Sequence, residues 1–274
     1  MTQPASPHLV ANARMYAVNP AVRAAWADLF AWISSRSGVP LTVVDHAAPA
    51  PLEELWQRGD LGLAFICGYP FASGRFPVQP IAAPIPASAL AGGRPFYATH
   101  LITRAESPIA TLAGSFGQRL GWTVEHSQSG FNALRSHLLP HWTAGPLYRQ
   151  SIGPLLTPRR VIAALLNDEI DIGPLDSYFH DLLRAYEPET AARLRIIETT
   201  LPRPMPLLVA SDTIDAVQLS NLRDALLDAA ALSEAEPLLA RLQLSGFAAI
   251  ECGVYDVLLE DARRAEAAGY DRPG

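Results

Sequence analysis

The stretch Glu125-His-Ser-Gln-Ser-Gly-Phe-Asn-Ala-Leu-Arg135 decides the fold prediction for this chain. An apolar run typical of a strand end precedes it, and an amphipathic run typical of a helix, Phe131–Leu139, follows it. Small polar residues between a strand and a helix leave backbone N–H groups free at the positive end of the helix dipole. Ser127 and Ser129 add hydroxyl donors, and Gly130 allows close approach to the backbone. The stretch therefore predicts a small anion-binding loop.

The composition is that of a folded, apolar chain without a basic region. Its 274 residues are enough for one large domain or two lobes. Hydrophobic residues make up 49% and charged residues 18%, which argues against disorder. The formal net charge is −6 and no basic cluster stands out, so nucleic acid is not expected as a partner.

The cysteines and histidines do not form a recognisable metal-binding pattern. Cys67 and Cys252 are the only cysteines, too few for a disulfide scaffold or a zinc site made of cysteines alone. Whether the two meet does not follow from the sequence. The seven histidines show no HExxH or similar spacing. We therefore predict no metal and no cofactor.

The N-terminal sequence, residues 1–8, lacks the basic and apolar regions of a signal peptide. No apolar run reaches the roughly 18 residues that a membrane-spanning helix needs. We therefore expect no membrane insertion and a cytoplasmic location for the chain as it stands. The alternative is a periplasmic protein whose leader has been removed.

The first 96 residues or so predict an α/β unit with parallel strands. The predicted elements are strands over Leu9–Tyr16, Leu41–Val44 and Leu61–Cys67, helices from Asn19-Pro20 to Gly38 and from Pro51 to Gly59, and a turn at Gly68-Tyr69-Pro70. One face of the first helix is apolar, through Val22, Trp26, Leu29, Phe30 and Ile33. Alternating strands and helices are typical of parallel pairing. Residues 77–95, rich in Pro, Ala and Gly, predict a surface connection and not a core element.

A second α/β unit is predicted between about residues 104 and 200. Its predicted elements are a strand near Trp122–Glu125, helices opened by Ser129 and by Thr157-Pro158, a strand end at Ile170–Asp176, a helix over Tyr178–Tyr186 and a strand over Leu194–Glu198. After a strand at Met205–Ala210, helices finish the chain. One of these helices has a capping-box pattern at Ser233 and Glu236, and the last covers Tyr255–Ala268.

Two extended segments, 96–104 and 200–210, connect the second unit to its flanks. Three prolines in Leu201–Pro206 exclude a helix there. The sequence thus predicts two lobes with two hinge crossings: residues 1–98 plus 206–274 in lobe 1, and 99–205 in lobe 2. Because ligands of such sheets lie beyond the carboxyl ends of the strands, the strand-end loops are expected to converge on one cleft. Those loops contain Tyr16, Tyr69, Ser127 and Asp176.

Together these features resemble the phosphate/phosphonate-type substrate-binding proteins of ABC transporters, which have the α/β type 2 periplasmic-binding fold. The resemblance lies in Met15-Tyr16, in Cys67-Gly68-Tyr69-Pro70, in Ser127-Gln-Ser-Gly130 with Asn132, and in Ala163–Asp176. The third segment is similar to the Ser-x-Ser-Gly anion loop of that family. The fourth looks like its helix, short turn and strand that lead to a ligand-facing acidic residue. The order and spacing cover nearly the whole chain.

The resemblance implies reversible capture of a small anion or zwitterion between closing lobes, without catalysis, and delivery to an ABC permease. The ligand-binding residues that it implies are Tyr16, Tyr69, Ser127, Gln128, Ser129, Gly130, Asn132 and Asp176. One alternative is a cytosolic enzyme on the same fold, as used in menaquinone or thiamine-precursor biosynthesis, although no acid/base pair or nucleophile set is recognisable. A second alternative is a ligand sensor.

Each candidate residue also has a structural alternative. A serine of the loop would otherwise only cap its helix, and Asp176 would cap the helix that follows it. Asn132 would otherwise face solvent, and Tyr16 or Tyr69 would pack in the core. Cys67 is expected to be a small buried residue and not a catalytic thiol.

Asp176 bears on the class of ligand. A carboxylate that faces a dianion repels it, by about 4 kcal/mol per pair of unit charges at about 4 Å and an effective dielectric of 20. The anion loop and Asp176 lie at separate strand ends, so a zwitterion such as an aminophosphonate is expected to match both.

Overall fold

The computed structural model describes residues 8–251 and 253–274. Its strands are β1 (Leu9–Asn12), β2 (Leu41–Val43), β3 (Leu61–Ile66), β4 (Val78–Pro86), β5 (Phe96–Tyr97), β6 (Thr99–Arg104), β7 (Arg119–Gly121), β8 (Gln150–Ile152), β9 (Gly173–Asp176), β10 (Leu194–Thr199), β11 (Arg203–Pro204), β12 (Leu207–Ser211) and β13 (Leu244–Ala248). Its α-helices are α1 (Pro20–Ser37), α2 (Leu52–Trp56), α3 (Gly68–Ala72), α4 (Leu112–Ser115), α5 (Ala133–Leu138), α6 (Pro158–Leu166), α7 (Ser177–Tyr186), α8 (Pro188–Ala192), α9 (Ala216–Asp228), α10 (Glu236–Arg241) and α11 (Asp256–Ala267).

Contacts among these elements divide the chain into two compact units. Unit 1 contains the chain up to Ile66, Gly74–Pro95 and residues 205–251, and unit 2 contains Cys67–Ser73, Phe96–Pro204 and Gly253–Gly274. The boundary between residues 95 and 96 lies next to the predicted crossing 96–104. The boundary between residues 204 and 205 lies inside the predicted crossing 200–210. The division differs from the predicted lobes because the segments 67–73 and 253–274 belong to unit 2.

Unit 1 is built on a six-stranded mixed sheet in the order β13-β4-β12-β3-β1-β2. The strand β1 pairs in parallel with both β2 and β3, as predicted. The helix α1 also follows its sequence signals. The Asn19 side chain accepts a hydrogen bond from the N–H of Val22, and Gly38 ends the helix in the left-handed conformation that glycine tolerates best. All five residues of its predicted apolar face are buried.

The prediction of a surface connection at residues 77–95 was wrong for its first half. The strand β4 lies inside the sheet between β12 and β13, and Ile81 and Ala82 are buried. Proline lacks an N–H and is accepted in sheets at edges and irregularities. The register with β12 shifts between Leu208 and Val209, where Pro80 lies opposite. The irregular strand β4 therefore accommodates prolines, whereas in the sequence the same prolines indicate a loop.

Three shorter predictions also need correction. The first strand ends at Asn12, and Tyr16 lies in a 3₁₀ turn that follows it. Gly68-Tyr69-Pro70 begins the helix α3 and is not a simple turn. The helix α10 has no side-chain cap, so Ser233 and Glu236 do not form a capping box.

Unit 2 contains a three-stranded antiparallel sheet, β10-β6-β9, and two short pairs, β7-β8 and β5-β11. The strand before the anion loop ends at Gly121 instead of near Glu125. The Thr157 side chain caps α6 through the N–H of Arg160, as its sequence predicts. The core of unit 2 includes Leu101, Leu120, Trp122, Phe131, Leu134, Leu138 and Ile172.

The last helix, α11, explains why the C-terminal segment belongs to unit 2. It packs against α5 and α3. The approach to α3 is so close that a Cβ added at Gly68 would lie 2.6 Å from Leu258 Cδ1 and 2.9 Å from Tyr255 Cδ1. This packing places α3 and α11 beside the predicted anion loop, which begins directly before α5.

Across residues 8–251 and 253–274, no helix has both the length and the apolar character needed to span a membrane.

Candidate functional site

The predicted anion loop forms a π-helical turn, Gln128–Asn132, that continues into α5. Turns of this kind are rare and occur frequently at functional sites. The N–H of Asn132 donates to the carbonyl of Ser127 at 3.0 Å, which closes the wide turn. The first N–H groups of a helix have no partner within it and carry its positive end. In this turn the Gly130 N–H donates to Ser127 Oγ and the Gln128 N–H faces the Cys67 thiol, so the N–H of Ser129 is the one at the positive end to which neither partner applies.

The two serines of the loop have different surroundings. Ser127 is buried, and its Oγ accepts a hydrogen bond from the N–H of Gly130 at 3.0 Å, so it caps the turn. Ser129 is half-buried, and its carbonyl accepts from the Thr99 hydroxyl at 3.1 Å. Ser129 is therefore the more exposed of the two residues, whereas the Ser127 hydroxyl shapes the turn.

Gly130 is required by packing against Thr123. A Cβ at this position would lie 1.8 Å from Thr123 Oγ1 and 2.7 Å from its Cγ2. The space beside Gly130 is thus occupied by a side chain of unit 2. The sequence-based expectation that this glycine gives a ligand access to the backbone does not match that environment.

Asn132 is fully buried and ties the turn to the C-terminal helix. Its Nδ2 donates to Gln128 Oε1 at 2.9 Å and to the carbonyl of Leu258 at 3.0 Å. An amide has two N–H donors, and both are used inside unit 2. Neither expected role, ligand donor or solvent-facing residue, matches this arrangement.

Asp176 ends β9 beside the loop and is buried. Its Oδ1 accepts from the N–H groups of Tyr178 and Phe179, at 2.9 and 3.0 Å, so it caps α7. Thr99 lies opposite Asp176 in the β6-β9 ladder and is the residue that binds Ser129. The structure thus places the carboxylate next to the anion loop and also gives it the capping role.

The charge of Asp176 raises the pKa of buried side chains near the loop. The sequence did not indicate that these side chains lie together. The pKa of the Tyr97 hydroxyl lies well above its usual value. Burial is the larger cause, and the negative charge of Asp176 is the second. Burial and the charge of Asp176 also raise the pKa of the Cys67 thiol to about 12. A hydrogen bond from the backbone N–H of Gln128 lowers this pKa, but by less than burial raises it. Burial raises the pKa of Tyr255 too. These neutral hydroxyl and thiol groups surround the loop.

Nothing in the local sequence marks Tyr97 as part of the site. It lies in the two-residue strand β5, which pairs with β11 through Arg203, some 30 positions from the loop. Cys67 was noted in the sequence as a small buried residue, and its raised pKa keeps the thiol protonated.

The two predicted tyrosines have separate locations. Tyr16 belongs to unit 1, where it is buried and its ring packs edge-on against Phe65 with centroids 5.0 Å apart. Tyr69 belongs to unit 2 and is half-buried at the start of α3. The other six predicted residues, Ser127, Gln128, Ser129, Gly130, Asn132 and Asp176, lie together in unit 2.

No cluster of three or more His, Cys, Asp or Glu side chains suitable for a metal ion occurs in the described part of the chain. The site consists of backbone N–H groups, hydroxyls, amides and one carboxylate. The N–H and hydroxyl donors are suited to a small oxyanion, whereas the carboxylate is not.

Solved structures of several binding proteins share this fold. One is a binding protein component of an ABC phosphonate transporter from Pseudomonas aeruginosa, with a TM-score of 0.79, 19% identity, and coverage of 96% of this chain and 89% of that chain. Another is PhnD1 from Prochlorococcus marinus in complex with methylphosphonate, with a TM-score of 0.75, 16% identity, and coverage of 94% and 98%. The Escherichia coli periplasmic aliphatic sulphonate-binding protein SsuA has a TM-score of 0.61, 14% identity, and coverage of 96% and 88%.

These similarities confirm the α/β periplasmic-binding-protein fold that the sequence predicted. No curated protein sequence matched the chain. The family model described as "ABC transporter, phosphonate, periplasmic substrate-binding protein" matches residues 17–255, which is most of the chain. The chain therefore belongs to the family of periplasmic substrate-binding proteins of phosphonate ABC transporters, whose role is to bind a solute.

Proposed function

We propose that this protein binds a small phosphonate-like oxyanion at the loop Ser127–Gly130 and delivers it to an ABC permease without changing it chemically. The observation that carries the proposal is the π-helical turn, where the N–H and the hydroxyl of Ser129 lie at the positive end of the helix that begins there. The P. marinus relative with methylphosphonate and the E. coli sulphonate-binding protein support an oxyanion headgroup.

Attraction of the ligand has to be local, because the chain as a whole is acidic. Its formal net charge is −6, so the overall field does not favour an anion. Charge-assisted hydrogen bonds from N–H and hydroxyl donors are about twice as strong as neutral ones. The loop supplies N–H and hydroxyl donors of this kind.

Binding without catalysis is supported by the state of the polar groups around the loop. The raised pKa of Cys67 keeps its thiol neutral and a poor nucleophile. Asp176 Oδ1 is occupied by two backbone N–H groups of α7. The proposed delivery to a permease further requires the periplasmic location and not the cytoplasmic one.

The proposal is tested by titration calorimetry of the purified protein with methylphosphonate, phosphate, methanesulfonate and acetate. We expect binding of at least one of the tetrahedral oxyanions and no chemical change in it, as read by ³¹P NMR for the phosphorus compounds. Small-angle scattering is expected to show a smaller radius of gyration with ligand, since proteins of this class close around it. Turnover of a probe, or no binding to any of them, would contradict the proposal.

The two loop serines are expected to differ when each is replaced by alanine. Ser129→Ala removes a ligand donor, worth about 1.5–3 kcal/mol for a charged acceptor, so affinity falls more than about tenfold and the thermal midpoint stays near that of the parent. Ser127→Ala removes a cap, at a cost of about 0.5–2 kcal/mol in stability. Calorimetry and thermal unfolding of both variants check this. Equal stability losses with unchanged affinity would leave both serines as caps only.

A further inference from the structure

We propose that unit 1 contains a second binding site, for a compact monocarboxylate with an apolar body, in the cavity that α1 forms with the loops after β1 and β2. The apolar lining receives the body of the ligand, and the Arg14 guanidinium receives the carboxylate. All residues that line the cavity belong to unit 1, whereas the loop Ser127–Gly130 belongs to unit 2. Tyr16, which the family resemblance implies as a ligand contact, does not line this cavity.

The two loops of the cavity are fixed at the same edge of the sheet by Asn12. Strands β1 and β2 are parallel, with Ala11 opposite Val43. Their carboxyl ends therefore lie together, which is where α/β sheets bind ligands. The buried Asn12 donates through Nδ2 to the Val44 carbonyl at 2.8 Å and accepts from the Arg14 N–H at 2.8 Å. These bonds within the protein fix the position of both loops.

The cavity is large enough for a small ring compound and has several apolar lining residues. Its volume is about 210 Å³, and its lining includes Trp26 and Phe30 from the apolar face of α1 and the exposed Val43 from β2. An apolar cavity of about 150 Å³ holds a benzene molecule, so this one has room for a ring with one small substituent. Concave sites that combine apolar side chains with a few polar groups are typical of small-molecule binding.

Arg14 is a half-buried cation of this lining that has no acidic partner within ion-pair distance among the described residues. Its Nη1 donates to the carbonyls of His46, at 3.2 Å, and of Ala50. Its Nε and Nη2 make no hydrogen bond to the part of the chain that the structure describes. Burial lowers the pKa of Arg14, and the charge of Glu53 opposes that effect. Because Nε and Nη2 form one edge of the guanidinium, they can bind a carboxylate through two parallel hydrogen bonds.

Two other lining residues favour an acceptor with a negative charge. The second cation, Arg23, is exposed and pairs with Asp45 at 3.7 Å, which leaves Arg14 as the cation that a ligand can neutralise. Trp26 Nε1 is buried and has no hydrogen-bond partner within residues 8–251 and 253–274. A carboxylate accepts hydrogen bonds and donates none, so it brings no further donor into a lining that already lacks acceptors.

Titration calorimetry with benzoate, benzamide and acetate tests the two parts of the site. Benzamide keeps the shape of benzoate without its charge, and acetate keeps the carboxylate without the ring. We expect saturable binding of benzoate, and binding of each of the other two at least about tenfold weaker.

Arg14→Gln removes the proposed carboxylate partner. We expect it to weaken benzoate binding at least about tenfold, because hydrogen bonds to a charged group are lost. The matched control is Arg36→Gln, which removes one positive charge from the last turn of α1, where Arg36 pairs with Asp228 at 3.7 Å. This control is expected to keep the affinity of the parent.

Two further measurements cover the case in which Arg14→Gln folds poorly. Ala27→Leu places a larger side chain in the cavity from α1, and leucine is close to alanine in helix propensity. We expect this variant to lose benzoate binding and to keep its thermal midpoint. In parent protein labelled with ¹⁵N at the indoles, benzoate is expected to shift the Trp26 signal, which Trp26→Phe assigns. The signal of Trp122, which donates to Ser151 Oγ at 3.0 Å in unit 2, is expected to stay in place.

Several results would overturn this inference and leave the proposed function standing. They are the absence of saturable benzoate binding, equal binding of benzamide, or unchanged benzoate affinity in Arg14→Gln or Ala27→Leu. Displacement of benzoate by methylphosphonate would likewise refute a separate site. Failure of every tetrahedral oxyanion to bind contradicts the proposed function but not this inference, because the two sites lie in different units.

Discussion

Asp176→Asn is expected to reverse the preference of the protein between 2-aminoethylphosphonate and ethylphosphonate. The two ligands differ in one ammonium group, and the substitution removes one negative charge. Repulsion or attraction between unit charges about 4 Å apart is about 4 kcal/mol at an effective dielectric of 20. We therefore expect the variant to bind the aminated ligand at least about tenfold more weakly and the non-aminated ligand as well as before or better.

The fold is expected to tolerate this change because asparagine caps helices as well as aspartate does. Its Oδ1 keeps the bonds to the N–H groups of Tyr178 and Phe179. Calorimetry with both ligands on both proteins makes the comparison, and thermal unfolding controls for stability. Equal losses for both ligands would refute charge pairing with the ligand. No change for either would leave Asp176 as the cap of α7 and nothing more.

Gly130→Ala is expected to destabilise unit 2 and to abolish binding at the same time. The added Cβ would lie 1.8 Å from Thr123 Oγ1, far inside contact distance. Overpacking of a dense interior typically costs about 1–3 kcal/mol, and the burial of Gly130 and Thr123 places this change at the upper end. The turn must shift, and the donors of Ser129 shift with it. Urea unfolding and calorimetry with methylphosphonate measure the two losses.

Two further variants identify the cause of that effect. Gly145→Ala is the matched control, because a Cβ there meets nothing within 4 Å, and we expect a change of no more than about 0.5 kcal/mol. Thr123→Ala in the Gly130→Ala background removes the two closest contacts and should recover part of the lost stability. A Gly130→Ala protein of normal stability that no longer binds would show instead that the glycine serves ligand access.

The site was only partly predictable because its residues have different kinds of partner. The caps of Ser127 and Asp176 involve N–H groups two or three residues away, so a short sequence pattern contains the whole interaction. Asn132 binds the carbonyl of Leu258, 126 residues away, and Gly130 is required by Thr123. No spacing rule connects those pairs. Tyr97 was missed for the same reason, since it approaches Ser129 from a separate strand.

The sequence by itself determined the alternation of strands and helices, the caps of α1 and α6, the position of the anion loop and the family. These depend on periodicity, on glycine and proline, and on interactions within a few residues. Only the tertiary structure decided that the proline-rich β4 is an inner strand and that the C-terminal helix belongs to unit 2. It also decided which polar groups of the loop are already bonded and which remain as donors. The physical reason is that a buried amide or hydroxyl is satisfied or left unpaired by whichever distant segment packs against it.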